Sequence, residues 1–223
     1  MSNSLFNPKN GFFRFTGRVL DIAVLSLLWL VCSLPIITIG PATAALYYSC
    51  VKCLRHRQPE PYRSFFSAFR ENLKVGIGAT VIFLLLWELL VVGYLLLMLA
   101  GAPGDTIWSA VRLAYLMLLL LPLAVMSCAF PLLSRFTFGV RELLANSLRI
   151  TFRHLPSLLA AAVLNAVLIY VTCVGWYFCA MLLTPALGAL LSSYLLEPVF
   201  RKYTPGAETG NDEEDDSRPW YLQ

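Results

Sequence analysis

Long apolar runs recur along the chain, separated by short basic or proline-containing segments. The longer runs reach the roughly 20 residues that a helix needs to cross a bilayer. The strict alternation that would indicate strands of a membrane barrel is missing. The pattern predicts an all-α, polytopic helical membrane protein with about six spans, at residues 19–39, 42–54, 75–100, 108–133, 156–174 and 175–196.

The first two predicted spans share a short stretch of chain. Residues 21–53 must hold two helices and a turn, so at about 1.5 Å per residue each helix is only marginally long enough to cross. The sequence LPIITIGPATAALY interrupts the apolar run with Pro35, Gly40 and Pro41. We favour a tight helical hairpin in which Gly40 supplies the turn and Pro41 opens the second helix. A re-entrant pair is the alternative.

Two polar segments carry apolar residues at helical spacing, and each leads directly into a span. They are YRSFFSAFRENLK before the third span and VRELLANSLRITFRHL before the fifth. We predict two cytoplasmic amphipathic helices that lie against the headgroups. Their candidate contacts to a partner or to lipid are Phe65, Phe69, Arg70, Arg149, Phe152 and Arg153.

Composition agrees with the membrane class and divides the chain in two. Charged residues make up only 13% of the chain, against about 25% in a soluble domain. Six acidic residues and one arginine fall in residues 205–223, which leaves 16 basic and 7 acidic residues before them. We therefore expect a transmembrane helical domain at 1–204 and a disordered acidic tail at 205–223.

The placement of basic residues indicates an orientation. With six spans and the N-terminus inside, 16 of the 17 basic residues fall on the cytoplasmic side, and only Arg112 falls outside. The positive-inside rule therefore favours both termini in the cytoplasm. A five-span arrangement, with the opening stretch as one span, ranks second because it places the basic N-terminal segment outside.

Three stretches resemble a known family. LLWLVCSLPIITIGPATAALYYSCVK and FFSAFRENLK resemble the opening of the YesL-like family of bacterial integral membrane proteins, and LTPALGALLSSYLLEPVFRKY looks like its close. The resemblance covers residues 5–203 and implies a multi-pass protein of the bacterial cell membrane without an established activity. Members often occur alongside sugar-uptake ABC transporters, which implies an accessory or permease-like role in carbohydrate uptake.

Glu88 is the acidic residue near the middle of a predicted span. A charged, unpaired carboxylate is costly there, so we expect Glu88 to face protein or water, with Asn165 and Tyr47 among its candidate partners. The result is either a site for a proton or substrate hydroxyl, or a hydrogen bond between helices. The interrupted segment is a second candidate, because discontinuous helices mark sites in several transporters. The candidate functional residues are Glu88, Asn165, Pro35, Thr38, Gly40 and Pro41.

Motifs for catalysis and metal binding are missing from the sequence. No Ser–His–Asp arrangement, H-E-x-x-H motif or phosphate-cradling glycine loop occurs. Cys50 and Cys53 form a single C-x-x-C pair without the second pair that a structural zinc site needs. We expect no enzymatic activity, no cofactor and no metal. The basic excess suits a membrane protein's cytoplasmic face, so we expect no nucleic-acid partner.

Two functions remain open. One is a non-enzymatic accessory or permease-like subunit that contacts the permease or ATPase subunits of a bacterial ABC-type carbohydrate uptake system, with a homo-oligomer as a further arrangement. The other is a stand-alone small-solute transporter with an intramembrane polar site around Glu88. The apolar spans favour the first function, because a sugar needs many hydrogen bonds along its path.

Overall fold

The computed structural model describes residues 11–56, 60–100, 106–174 and 178–203, and in these residues all regular secondary structure is helical. The all-α prediction is confirmed for this part of the chain. The predicted acidic tail at 205–223 lies outside the described residues. The α-helices are α1 (Gly11–Cys32), α2 (Ile39–Ser49), α3 (Pro61–Ala100), α4 (Thr106–Leu133), α5 (Val140–Arg153), α6 (Leu155–Val174) and α7 (Phe178–Arg201). A 3₁₀ turn at Ile36–Thr38 precedes α2, and a π-helical segment at Cys50–Arg55 continues it.

Several helices are long and apolar enough to cross a membrane. Within the described residues these are Pro61–Leu99, Thr106–Leu133 and Leu183–Phe200. Helices α5 and α6 meet at an angle of 104°, and they add a fourth candidate when the bent pair is counted as one span. A chain with these helices has the physical character of a membrane protein.

Helix α3 differs from its prediction. The expected amphipathic helix at 62–74 and the expected span at 75–100 form one continuous helix of 40 residues, about 60 Å long. The first part of α3 also does not lie free on a surface, because Phe65 and Ala68 are buried in a cluster with Leu25 of α1 and Leu46 of α2. Burial against two neighbouring helices holds this segment in line with the span that follows.

Helix α2 is the centre of the bundle. Eight of its 11 residues are buried, and it packs against α1, α3, α4 and α7. One side of α2, with Ala44 and Tyr47, belongs to a core shared with α3, α4, α5, α6 and α7. The other side, with Ala45 and Leu46, belongs to the core shared with α1, α3 and α7. A helix that is apolar on every side is stable only when it is surrounded, as α2 is.

The start of α2 touches α3 through residues without bulky side chains. A Cβ atom added to Gly40 would lie 2.0 Å from Thr80 Oγ1 and 2.5 Å from Phe130 Cε1, and one added to Gly76 would lie 2.9 Å from Pro41. The prediction that Gly40 makes the turn is therefore wrong, since Gly40 lies inside α2 and permits close packing.

The break between α1 and α2 is formed by residues 33–38, which precede α2. Helix α1 ends at Cys32, and the Thr38 hydroxyl donates to the carbonyl oxygens of Cys32 and Pro35, both at 2.6 Å. Pro41 stands in the first turn of α2, where the backbone N–H that proline lacks would have no partner within the helix. The predicted role of Pro41 agrees with this geometry.

Substituting Gly40→Ala should destabilise the protein by about 1–3 kcal/mol or more, because the added methyl must displace Thr80, Phe130 or the backbone of α3. Gly17→Ala is the matched control. Nothing lies within 4 Å of the Cβ position at Gly17, so this change should stabilise α1 by about 0.5–1 kcal/mol. Equilibrium unfolding in detergent measures both. Equal stability of the two variants would contradict the close approach of α2 to α3.

Candidate functional site

A buried ion pair joins two helix ends. Arg135 lies in the turn that ends α4, and Glu197 lies in the last two turns of α7. Arg135 Nη2 forms a salt bridge with Glu197 Oε2, and only 1% and 13% of the two side chains are exposed. Burial of such a pair is costly unless its remaining polar atoms also find partners.

The second carboxylate oxygen of Glu197 is also occupied. Tyr47 of α2 donates its hydroxyl to Glu197 Oε1 at 3.2 Å. The Arg135 guanidinium lies 5.7 Å from the ring centroid of Phe200, within the range of a cation–π contact. The central helix α2 is therefore joined to both α4 and α7 at one end of the bundle.

Arg55 adds a second link between the α2 region and α7. It is the last residue of the π-helical segment, and its Nη1 donates to Ser193 O at 3.0 Å and to Ser193 Oγ at 3.4 Å. The guanidinium also lies 4.8 Å from the ring centroid of Tyr194. π-Helical turns inside helices often mark functional positions, and here the segment ends with Arg55 against α7.

His56 follows Arg55 and belongs to the same electrostatic environment. Burial lowers the pKa of His56, Arg55 and Arg135 act in the same direction, and Glu197 opposes them. An imidazole with a lowered pKa is neutral near pH 7. Among the described residues, no group of three or more His, Cys, Asp or Glu side chains is placed to hold a metal ion.

The chemistry of this cluster favours anchoring. A guanidinium does not give up its proton in a protein, and both oxygens of Glu197 already accept hydrogen bonds. The arrangement holds three helix ends in place, with no free carboxylate oxygen in it for a substrate.

Glu197 was missed in the sequence because the sixth span was predicted to end at residue 196. A signal was nevertheless present. The segment SSYLLEPVF places a carboxylate inside an apolar run, and PLLSR places an arginine just after another. Two opposite charges at the ends of two spans are a reason to test for a pair.

Glu88 lies on the outer face of α3, beside the exposed Leu85 and Leu89. Within the residues that the structure describes, no group hydrogen-bonds to its carboxylate and no basic side chain forms a salt bridge with it. The predicted contact of Glu88 with Tyr47 is not formed, since Tyr47 binds Glu197 instead.

Asn165 joins α6 to α7. Its Nδ2 donates to Ala161 O and to Ser192 Oγ, both at 2.8 Å, and its Oδ1 lies where a side chain on Gly188 would begin. The structure therefore does not bring Asn165 and Glu88 together. Asn165 acts as a polar link between helices, which is the second role that the sequence left open.

The residues of the α1–α2 break do not form a polar site. Pro35 is exposed, Thr38 is occupied by backbone carbonyls, and Gly40 and Pro41 are buried against α3. Cys50 and Cys53 are buried free thiols in the π-helical segment, and their sulfur atoms contact Ala186 O and Ser64 Oγ, each at 3.8 Å. All of these positions serve packing.

The six predicted contact residues divide into two groups. Phe65 is fully buried, so the contact predicted for it is wrong, and Phe69 is half-buried against the same core. Phe65 and Ala68 face α1 and α2 because those helices offer an apolar surface, whereas Phe66 on the same segment is 48% exposed. The remaining four, Arg70, Arg149, Phe152 and Arg153, are exposed.

Comparison with known proteins gives one match. Residues 22–94 match the model of a family described as Protein of unknown function, DUF624. The matched stretch begins in α1 and ends in α3, so it contains Tyr47 and Arg55 but neither Arg135 nor Glu197. No curated protein and no solved structure matches the chain.

A double-mutant cycle tests the ion pair. Arg135→Met and Glu197→Leu should each cost about 3–5 kcal/mol of stability, because each leaves a buried charge without its partner. The double variant should cost much less than the sum of the two. Tyr47→Phe should cost about 1 kcal/mol for one lost hydrogen bond.

Arg63→Gln is the control, because the Arg63–Glu60 salt bridge lies on the surface. The two side chains are 85% and 61% exposed. Stability of this variant should stay unchanged in the same unfolding measurement. Additive losses for Arg135 and Glu197 would show that the two charges do not depend on each other.

Proposed function

We propose that this chain is a YesL-like integral protein of the bacterial cell membrane. In this proposal it acts without enzymatic activity as an accessory subunit of an ABC-type carbohydrate uptake system. The match of residues 22–94 to the DUF624 family supports the resemblance, because the interrupted motif LPIITIGP lies inside the matched stretch. The association with carbohydrate uptake comes from the resemblance.

The observation that carries an accessory role is the exposed position of Glu88. Its neighbours on the outer face of α3 are large apolar side chains, including Leu85 and Leu89, with 67% and 69% exposed. An acidic side chain facing lipid at mid-membrane costs on the order of 3 kcal/mol. A neighbouring subunit that offers a hydrogen-bond donor removes this cost, so we assign the outer face of α3 to a protein partner.

The same observation argues against a stand-alone transporter with Glu88 on an internal path. Asn165 and Glu197, two polar side chains inside the bundle, already have hydrogen-bond partners within the chain. A solute would need to break these bonds to pass. The stand-alone transporter therefore ranks second.

The proposed arrangement has six spans with both termini inside. Arg55, Arg135 and Lys202 would then lie at the cytoplasmic end, as the positive-inside rule favours. Helix α2 is about 16 Å long, and its π-helical continuation lengthens it, yet it stays shorter than the ~30 Å hydrocarbon core. A full hairpin and a re-entrant pair consequently differ most in whether the tip of the hairpin reaches the outer surface of the membrane.

Cysteine labelling from outside the cell distinguishes a full hairpin from a re-entrant pair. Leu34 is 79% exposed at the tip, so a cysteine placed there in a background without the six native cysteines should react with a membrane-impermeant thiol reagent in intact cells. A cysteine at Lys202 should react only after the cells are opened. Protection of Leu34→Cys in both conditions would indicate a re-entrant pair, and labelling of Lys202→Cys in intact cells would reverse the orientation.

Native co-purification tests the accessory role. Tagged wild-type protein should carry identified carbohydrate-transport permease or ATPase subunits, and Glu88→Leu should reduce their recovery at least tenfold because the partner's donor loses its acceptor. Glu88→Gln still accepts a hydrogen bond, so this variant should retain most of the recovery of these subunits.

Val167→Ala is the control, since Val167 is exposed on α6, a helix that packs on α4, α5 and α7. Its recovery of partners should equal wild type. Capture of this chain alone, in every variant, would overturn the accessory role. Solute uptake by vesicles containing only this protein, lost on Glu88→Leu, would establish the stand-alone transporter instead.

A further inference from the structure

Helix α5 packs against the bundle at a sharp angle to the helix that follows it. It meets α6 at 104° with only His154 between them, so when α6 crosses the membrane α5 runs nearly parallel to the membrane plane. Helix α5 also packs on α3 and α4, which fixes its rotation about its own axis. The direction in which each of its faces points is therefore set by the fold.

The inner face of α5 is buried and its polar groups are satisfied. Leu143 and Ile150 belong to the core that contains Ala44 and Tyr47 of α2, and Ser147 and Thr151 are buried beside them. The hydroxyls of Ser147 and Thr151 donate to the carbonyl oxygens one turn earlier, both at 2.7 Å. This face is committed to the bundle.

The outer surface of α5 carries two adjacent strips. Leu148 and Phe152, 44% and 56% exposed, stand one turn apart and form an apolar strip. Arg149 and Arg153, both exposed, also stand one turn apart, and they follow the apolar pair by about 100° around the helix. The strips run side by side along the last two turns.

The basic strip continues onto the end of α7, and among the residues that the structure describes no acidic side chain forms a salt bridge with it. The Arg153 guanidinium lies 5.9 Å from the ring centroid of Tyr203, which adjoins the exposed Lys202. Glu142, the one acidic residue in the sequence of α5, caps the other end of the helix by accepting from Gly139 N at 3.2 Å. Burial, Lys202 and Arg153 together lower the pKa of His154, in keeping with a positive local potential.

We propose that α5 and the end of α7 form a binding surface for anionic phospholipid headgroups. Arg149, Arg153 and Lys202 contact the phosphates, and Leu148 and Phe152 enter the acyl region. The occupant follows from the shape of the surface. An apolar strip beside a basic strip, both parallel to the membrane plane, matches the bilayer interface, where apolar depth adjoins a charged layer.

This inference rests on the membrane placement proposed above but not on any partner subunit. The test therefore uses purified full-length protein in neutral detergent, titrated with short-chain phosphatidylglycerol or phosphatidylcholine, with binding followed by native mass spectrometry. Wild type should bind the anionic lipid at least tenfold more tightly than the zwitterionic one. Equal affinities would overturn the proposal.

Paired substitutions locate the site. Arg149→Gln with Arg153→Gln should weaken phosphatidylglycerol binding at least tenfold, since each basic side chain near a headgroup contributes roughly fivefold. Arg149→Lys with Arg153→Lys should retain most of the binding, because charge rather than guanidinium shape is required. Leu148→Ala with Phe152→Ala should weaken the binding of phosphatidylglycerol and phosphatidylcholine to the same extent.

Arg63→Gln with Lys74→Gln is the matched control, because it removes the same charge from another exposed surface. This pair should leave binding unchanged, and an equal loss would reduce the effect to net charge. Displacement of the lipid by inorganic phosphate would overturn the proposal in favour of a soluble-anion site. If the Arg149/Arg153 glutamine pair instead kept lipid binding and lost co-purified subunits, α5 would be a protein-docking helix.

Discussion

The close approach of α2 to α3 is the contact on which the bundle depends. Gly40 and Gly76 have no side chains, so Pro41 can lie directly against α3 and the start of α2 is held within van der Waals distance. Once α2 is fixed there, α1, α4 and α7 complete its burial. In a membrane, where lipid is as apolar as leucine, such close packing between small residues supplies the attraction that the hydrophobic effect supplies in water.

The far end of α2 is held by a different kind of interaction. Tyr47 and the π-helical Arg55 connect the central helix to α7, and the Arg135–Glu197 pair brings α4 to the same point. A short helix is thus fixed by packing at one end and by charge at the other. The two constraints are complementary, because small residues set the distance between helices and the directional bonds set their rotation and register.

Glu197 and Asn165 are hydrogen-bonded inside the bundle, whereas other polar and charged side chains lie on its outer surface. Glu88 on α3 and the basic strip of α5 occupy different surfaces, and each lacks a complement within the described part of the chain. A carboxylate at mid-span fits a protein neighbour, whereas a basic strip beside an apolar one fits headgroups. Both proposals therefore place their chemistry on the outer surface of the bundle.

The sequence by itself determined the all-helical class, the approximate positions of α4 to α7, and the amphipathic character of α5, since these follow from local periodicity and run length. It did not determine that residues 61–100 form one helix, that Phe65 is buried, or that Glu88 faces outward. It also missed Glu197 as the buried acid. Only the tertiary structure decided these points, because which side of an apolar helix meets protein depends on neighbours distant in sequence, and in a uniformly apolar span no periodicity records that choice.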